Sequence, residues 1–181
     1  MHTRLALPLC VLGAVFTLVL APRPAAAQGS EATGIGVGVQ AMLPDFGGVV
    51  GMDTFVDIPP LAGPAVTYQT PKFHIDGILS YGDNDAITTL GLGGRFYYEL
   101  HSTQASDLSV GGGVGFLNID AGDDSDTAIL FEAGGKLRAF LAPSVAFNAS
   151  LGLGYVSGLD RDLILFGGQL LGTIGITYFF F

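Results

Sequence analysis

The chain has 181 residues, seven Lys and Arg against sixteen Asp and Glu, and a net charge of −9, yet 49% of it is hydrophobic and its mean hydropathy is +0.53. Such a deficit of cations excludes nucleic acid as a natural partner. Cys10 is the one cysteine, so disulfides, thiolate metal sites and cysteine nucleophiles have no residues to form them beyond it.

Residues 1–27 read as a cleaved secretory signal peptide. Met1-His2-Thr3-Arg4 is followed by an apolar run from Leu5 to Leu20 and by Ala25-Ala26-Ala27. Cleavage after Ala27 would remove Arg4 and Arg23 and leave five basic residues against sixteen acidic ones. Residues 28–33 are then a short periplasmic segment, and 34–181 are one domain.

From residue 34 the chain alternates with period two, the pattern of strands with two unlike faces. Ile35, Val37, Val39 and Ala41 alternate with glycines and Gln40 in a first strand. The pattern then fails from Leu43 to Gly63, which holds Pro44, Pro59 and Pro60. A long loop is the simpler reading, although Val49 to Val56 has the composition of a short strand. Val66 and Tyr68 belong to the second strand, and Phe73, Ile75, Leu79 and Tyr81 to the third.

In the fourth, Leu90, Leu92, Phe96, Tyr98 and Leu100 oppose Thr89, Arg95, Tyr97, Glu99 and His101. The fifth sets Leu108, Val110, Val114 and Phe116 against Ser109 and three glycines. The sixth sets Ile129, Phe131, Ala133, Leu137, Ala139 and Leu141 against Glu132, Gly134, Lys136 and Arg138. In the seventh, Val145, Phe147, Leu151, Leu153 and Tyr155 oppose Asn148, Ser150 and glycines. The eighth runs from Leu163 to Phe181 without a charge; its four glycines, its β-branched residues and the lack of basic flanks favour a strand over a membrane helix.

The connections alternate in character. Those at Pro71-Lys72, Ser102 to Ala105 and Ala142 to Ser144 carry no carboxylate, whereas those at 44–63, 82–86, 120–127 and 158–162 are rich in Asp. A soluble sandwich gives no reason for this sorting, nor for outward Leu, Phe and Tyr. A closed barrel in a bilayer gives a reason for both, because strands can span a membrane only when every backbone group is paired within the protein. The expected fold is therefore all-β: an eight-stranded antiparallel transmembrane barrel, an up-and-down meander, with apolar faces toward lipid. Both termini and the short turns would face the periplasm and the acidic loops the exterior. Tyr68, Tyr81, Tyr98, Tyr155 and Tyr178 near strand ends suggest aromatic girdles.

Gly-Gly-Arg-Phe-Tyr-Tyr at 93–98, Ser-Val-Gly-Gly-Gly-Val-Gly at 109–115 and Gly-Ile-Thr-Tyr-Phe-Phe at 175–180 carry a resemblance to the small eight-stranded outer-membrane barrels of the OmpA and OmpX type. The resemblance spans nearly all of the chain after residue 33 and contains no catalytic motif. It implies residence in the outer membrane of a Gram-negative bacterium, contact with membrane lipid and lipopolysaccharide, and a monomeric state. It also implies handling by the barrel assembly machinery through a terminal aromatic signal, here Ile176, Tyr178, Phe180 and Phe181, with Phe181 one residue beyond the usual register.

Three groups are candidates for function. Asp76, Arg95, Glu99, Glu132, Lys136 and Arg138 fall on inward positions, three of each sign, as a neutralised filler of a narrow lumen or as the lining of a selective pore. Asp120, Asp123, Asp124 and Asp126 could hold a divalent cation or bridge through one to lipopolysaccharide phosphates, although they lack the spacing of an EF-hand. His74 and His101 are the histidines available to a lipid-modifying enzyme, but both fall near the short turns, and His101-Ser102 reads as a turn rather than a dyad. The expectation is a non-enzymatic barrel without cofactors, structural or surface-interacting through its acidic loops. A narrow passive, porin-like channel is the alternative, and a lipid A-modifying enzyme is third.

Overall fold

The computed structural model describes residues 32–42, 48–49, 62–84, 87–122, 125–158, 162–166 and 173–181. The expected signal peptide and cleavage site lie outside the described residues, as does most of the 44–63 stretch. The elements are β1 (Gly34–Met42), β2 (Gly48–Val49), β3 (Gly63–Gln69), β4 (Phe73–Asn84), β5 (Ile87–Ser102), β6 (Ser106–Asp120), β7 (Ser125–Ala142), β8 (Val145–Ser157), β9 (Leu163–Phe166) and β10 (Thr173–Phe180).

All pairings are antiparallel and run in chain order from β1 through β3 to β8. β8 pairs with both β9 and β10, while β10 pairs with β1 and β9 with β2, so the sheet closes on itself. β1 with β2, and β9 with β10, serve as the two outermost staves of an eight-stranded barrel. The β1–β10 ladder closes the sheet into a ring, which is what a strand protein needs in lipid. The short strand Gly48–Val49 lies within the stretch expected as a loop, and it adds two rungs to the seam opposite Leu165 and Phe166. The last strand, expected as one run, is described as two pieces, with 167–172 outside the described residues.

The faces sort as alternation requires, inverted relative to a soluble barrel. Leu92, Phe96, Tyr98, Leu100, Phe116, Leu153 and Phe180 are each at least half exposed. Arg95, Lys136 and Arg138 are at most 2% exposed. An exterior this apolar over an interior this charged is a membrane barrel. Leu92 faces outward in the middle part of β5. Leu92→Arg is expected to lower unfolding free energy in lipid vesicles by about 2–4 kcal/mol, measured by urea titration.

Two irregularities re-aim side chains. The β5–β6 register shifts between Glu99 and His101, so the inward alternation of β5 ends at Glu99. His101, expected on the polar inner face, is therefore exposed. The second shift, between Phe140 and Ala142, precedes the tight β7–β8 turn, and Phe140 still points inward.

A charged lumen closed by apolar layers

The interior is organised by register. Thr67, Asp76, Arg95, Gly113 and Glu132 occupy one continuous row across β3 to β7. Asp76 is its anchor. Lys136 Nζ donates to Asp76 Oδ2 at 2.6 Å, Arg95 Nη2 stands 3.2 Å from the same oxygen, and Thr67 Oγ1 donates to Oδ1 at 2.8 Å. Arg95 also donates to Gln40 Oε1 on β1 and, at 3.3 Å, to Thr173 Oγ1 on β10. Gly113 makes room for this arginine, because a Cβ there would lie 2.6 Å from Arg95 Cγ.

Arg138 builds a second cluster toward the end of the barrel that carries the tight turns. Its Nε donates to both oxygens of Asp107, at 3.0 and 2.8 Å. Nη1 donates to Gln69 Oε1 at 2.7 Å, and Nη2 to Glu99 Oε1 at 2.9 Å. Between the clusters stands Tyr97. His74 stacks on its ring at 4.9 Å, with Lys136 Nζ 5.1 Å from the centroid and the Arg95 guanidinium at 5.9 Å. Cations over an aromatic face in a water-poor site are attracted by the ring quadrupole.

All six expected lumen charges are buried, and five of them take part in these two clusters. Glu132 lies in the Asp76 row. Asp107 was not among the expected residues, although it continues the inward phase of Ser109 and Gly111 by one step. The strand was expected to begin at Leu108, whereas β6 begins at Ser106.

Apolar layers bound the charged region on both sides. Toward the long connections, Leu117, Ala128, Leu130, Val156, Leu163 and Leu165 form an inward-facing cluster, with Ile119 packed against it. Toward the tight turns, Phe140, Ala146 and Phe179 form another, and the Arg138 guanidinium lies 5.7 and 5.9 Å from the Phe140 and Phe179 rings. Phe181 stacks on Phe179 at 5.5 Å. Ile176, Tyr178 and Phe180 face outward, as an aromatic terminal series with a lipid face requires.

At the rim, the connection between β6 and β7 is shorter than expected, since Asp120 ends one strand and Asp126 is the second residue of the next. Asp120 pairs with Ser125 and Asp126 with Ile119, which puts the two carboxylates on opposite faces of the ladder. Asp123 and Asp124 lie outside the described residues. Among the described residues, no group of three or more His, Cys, Asp or Glu is placed to hold a metal ion. The Tyr155 hydroxyl donates to exposed Asp162 at 2.6 Å and holds that carboxyl below its usual range.

No family model and no curated protein matches the chain. Among solved structures, the N-terminal β-barrel domain of Pseudomonas aeruginosa OprF superposes with a TM-score of 0.54 at 11% identity, over 81% of this chain and 97% of that one. Ail, the attachment invasion locus protein of Yersinia pestis, matches over 82% and 97% with a TM-score of 0.40 at 14% identity. The chain has the fold of the small eight-stranded outer-membrane β-barrels.

Proposed function

We propose that this chain is an integral outer-membrane protein of a Gram-negative bacterium with a structural or surface-interaction role, its acidic connections facing outward and its tight turns and termini facing the periplasm. The packed lumen carries this reading. Two ionic clusters are wedged between apolar layers, so the space a solute would need is occupied by Asp76, Arg95, Lys136, Arg138 and Tyr97. An eight-stranded barrel has an interior just wide enough for side chains to fill. The proposed partners are membrane lipid and lipopolysaccharide, the latter bridged by divalent cations to rim carboxylates such as Asp120. During biogenesis the partner is the assembly machinery, reading Ile176, Tyr178 and Phe180. The proposed state is a monomer.

A narrow channel is the second reading. It is favoured by buried polar atoms without a hydrogen-bond partner in the protein, both His74 nitrogens and Gln40 Nε2, which water would satisfy. Single-channel recording of the refolded barrel in planar bilayers separates the two. The wild type is expected to be silent, and Glu132→Ala and Lys136→Ala equally so. Reproducible current steps whose ion selectivity changes in those variants would instead establish a charged pathway.

A further inference from the structure

We infer that the half of the lumen next to the tight turns is a proton-binding site, in which Glu99 and Asp107 hold one proton between them beside Arg138. Glu99 Oε1 and Asp107 Oδ2 both lie on the same nitrogen of Arg138, at 2.9 and 2.8 Å. Two carboxylates therefore meet at one guanidinium, with side chains 3% and 0% exposed. Like charges sharing a site do not both ionise where water cannot screen them. One proton makes the cluster neutral.

The other charges facing this pair do not supply the missing compensation. From β7, Lys136 is bonded to Asp76, and from β3 comes only the neutral Gln69. From β4, Asp76 adds negative charge but is held by Lys136 and Arg95. His74 stacks on Tyr97 without a hydrogen-bond partner at either nitrogen, in a lumen that already holds three cations. Lys72, on the turn before β4, keeps its side chain in the exposed rim. Among the described residues no third His, Cys, Asp or Glu joins this pair in a group that could hold a metal ion in place of the proton. Glu99 Oε2, buried and without a hydrogen-bond partner, is the atom available to carry it. The Glu99 amide donates to the Lys72 carbonyl at the turn, so the site lies at the turn end of the lumen.

A carboxyl that stays protonated in the folded barrel contributes stability that is fully present below its unfolded pKa and is lost as pH rises through its folded value. Urea unfolding midpoints should be compared for the wild type and Glu99→Gln at about pH 4, below the ordinary Glu value, and at about pH 9, above the imidazole range. The two proteins are expected to match at the lower pH, with the variant unfolding at higher urea than the wild type at the upper pH. A variant less stable than the wild type at both values would show that Glu99 is a required anion and overturn the inference. Infrared spectroscopy gives a result that does not depend on the variant folding. A carboxylic-acid carbonyl band is expected in the wild type near neutral pH, and its absence there would also overturn the inference.

Discussion

Asp76→Ala is expected to lower the unfolding free energy of the refolded barrel by about 3–5 kcal/mol, the range for breaking a buried ion pair by removing one partner. The reason is arithmetic within one layer. Asp76 accepts from Lys136 and Thr67 and lies 3.2 Å from Arg95, so its loss leaves two buried cations facing each other around Tyr97. Removing a cation as well, in Asp76→Ala with Lys136→Met, should recover a large part of the loss, because the remaining Arg95 still bonds Gln40 and Thr173. Urea titrations of both single variants and the double variant give the coupling energy. Additive losses would mean that Asp76 and Lys136 act independently.

Gly111→Ala is the second large effect, and it involves no charge. The backbone of β6 passes so close to β5 at this point that a Cβ would stand 1.9 Å from the Phe96 carbonyl oxygen and 2.8 Å from Tyr97 Cα. Both obstacles are main chain, so no side-chain rotation relieves them. A cost at or above the top of the about 1–3 kcal/mol typical of overpacking is expected. By contrast, Gly94→Ala, where a Cβ would meet nothing within 4 Å, should fold nearly as the wild type. Heat-modifiable migration on gels and urea midpoints of the two variants provide the comparison. Equal behaviour would refute the close approach at Gly111.

The two faces were legible wherever one was apolar and the other charged or small. Leu90 to Leu100 against Arg95, Tyr97 and Glu99, and Phe131 against Glu132, lie as the alternation implies. Legibility failed where both faces are apolar. Ala128-Ile129-Leu130-Phe131 and Leu163-Ile164-Leu165-Phe166 give no contrast, so nothing in the pattern marks Leu130, Leu163 and Leu165 as lumen residues. His101 reads as inward from the alternation because a bulge shifts register without changing composition. Partners also escape a pattern of period two. Asp107 stands directly opposite Arg138 in the β6–β7 register, but that the same guanidinium also takes Glu99 and Gln69 depends on barrel curvature, which brings β5 and β3 around it.

Arg95 has a consequence for the order in which the barrel assembles. From β5 it donates to Gln40 on β1 and to Thr173 on β10, residues far apart in the chain that become neighbours only when the first and last staves meet. The hairpins from β3 to β8 are local and can pair early, whereas the β1–β10 ladder closes a loop of nearly the whole domain and is intrinsically slow. Until that ladder zips, this arginine lacks two of its acceptors. The last join in the chain thus supplies two acceptors to this buried cation, which couples ring closure to interior ordering.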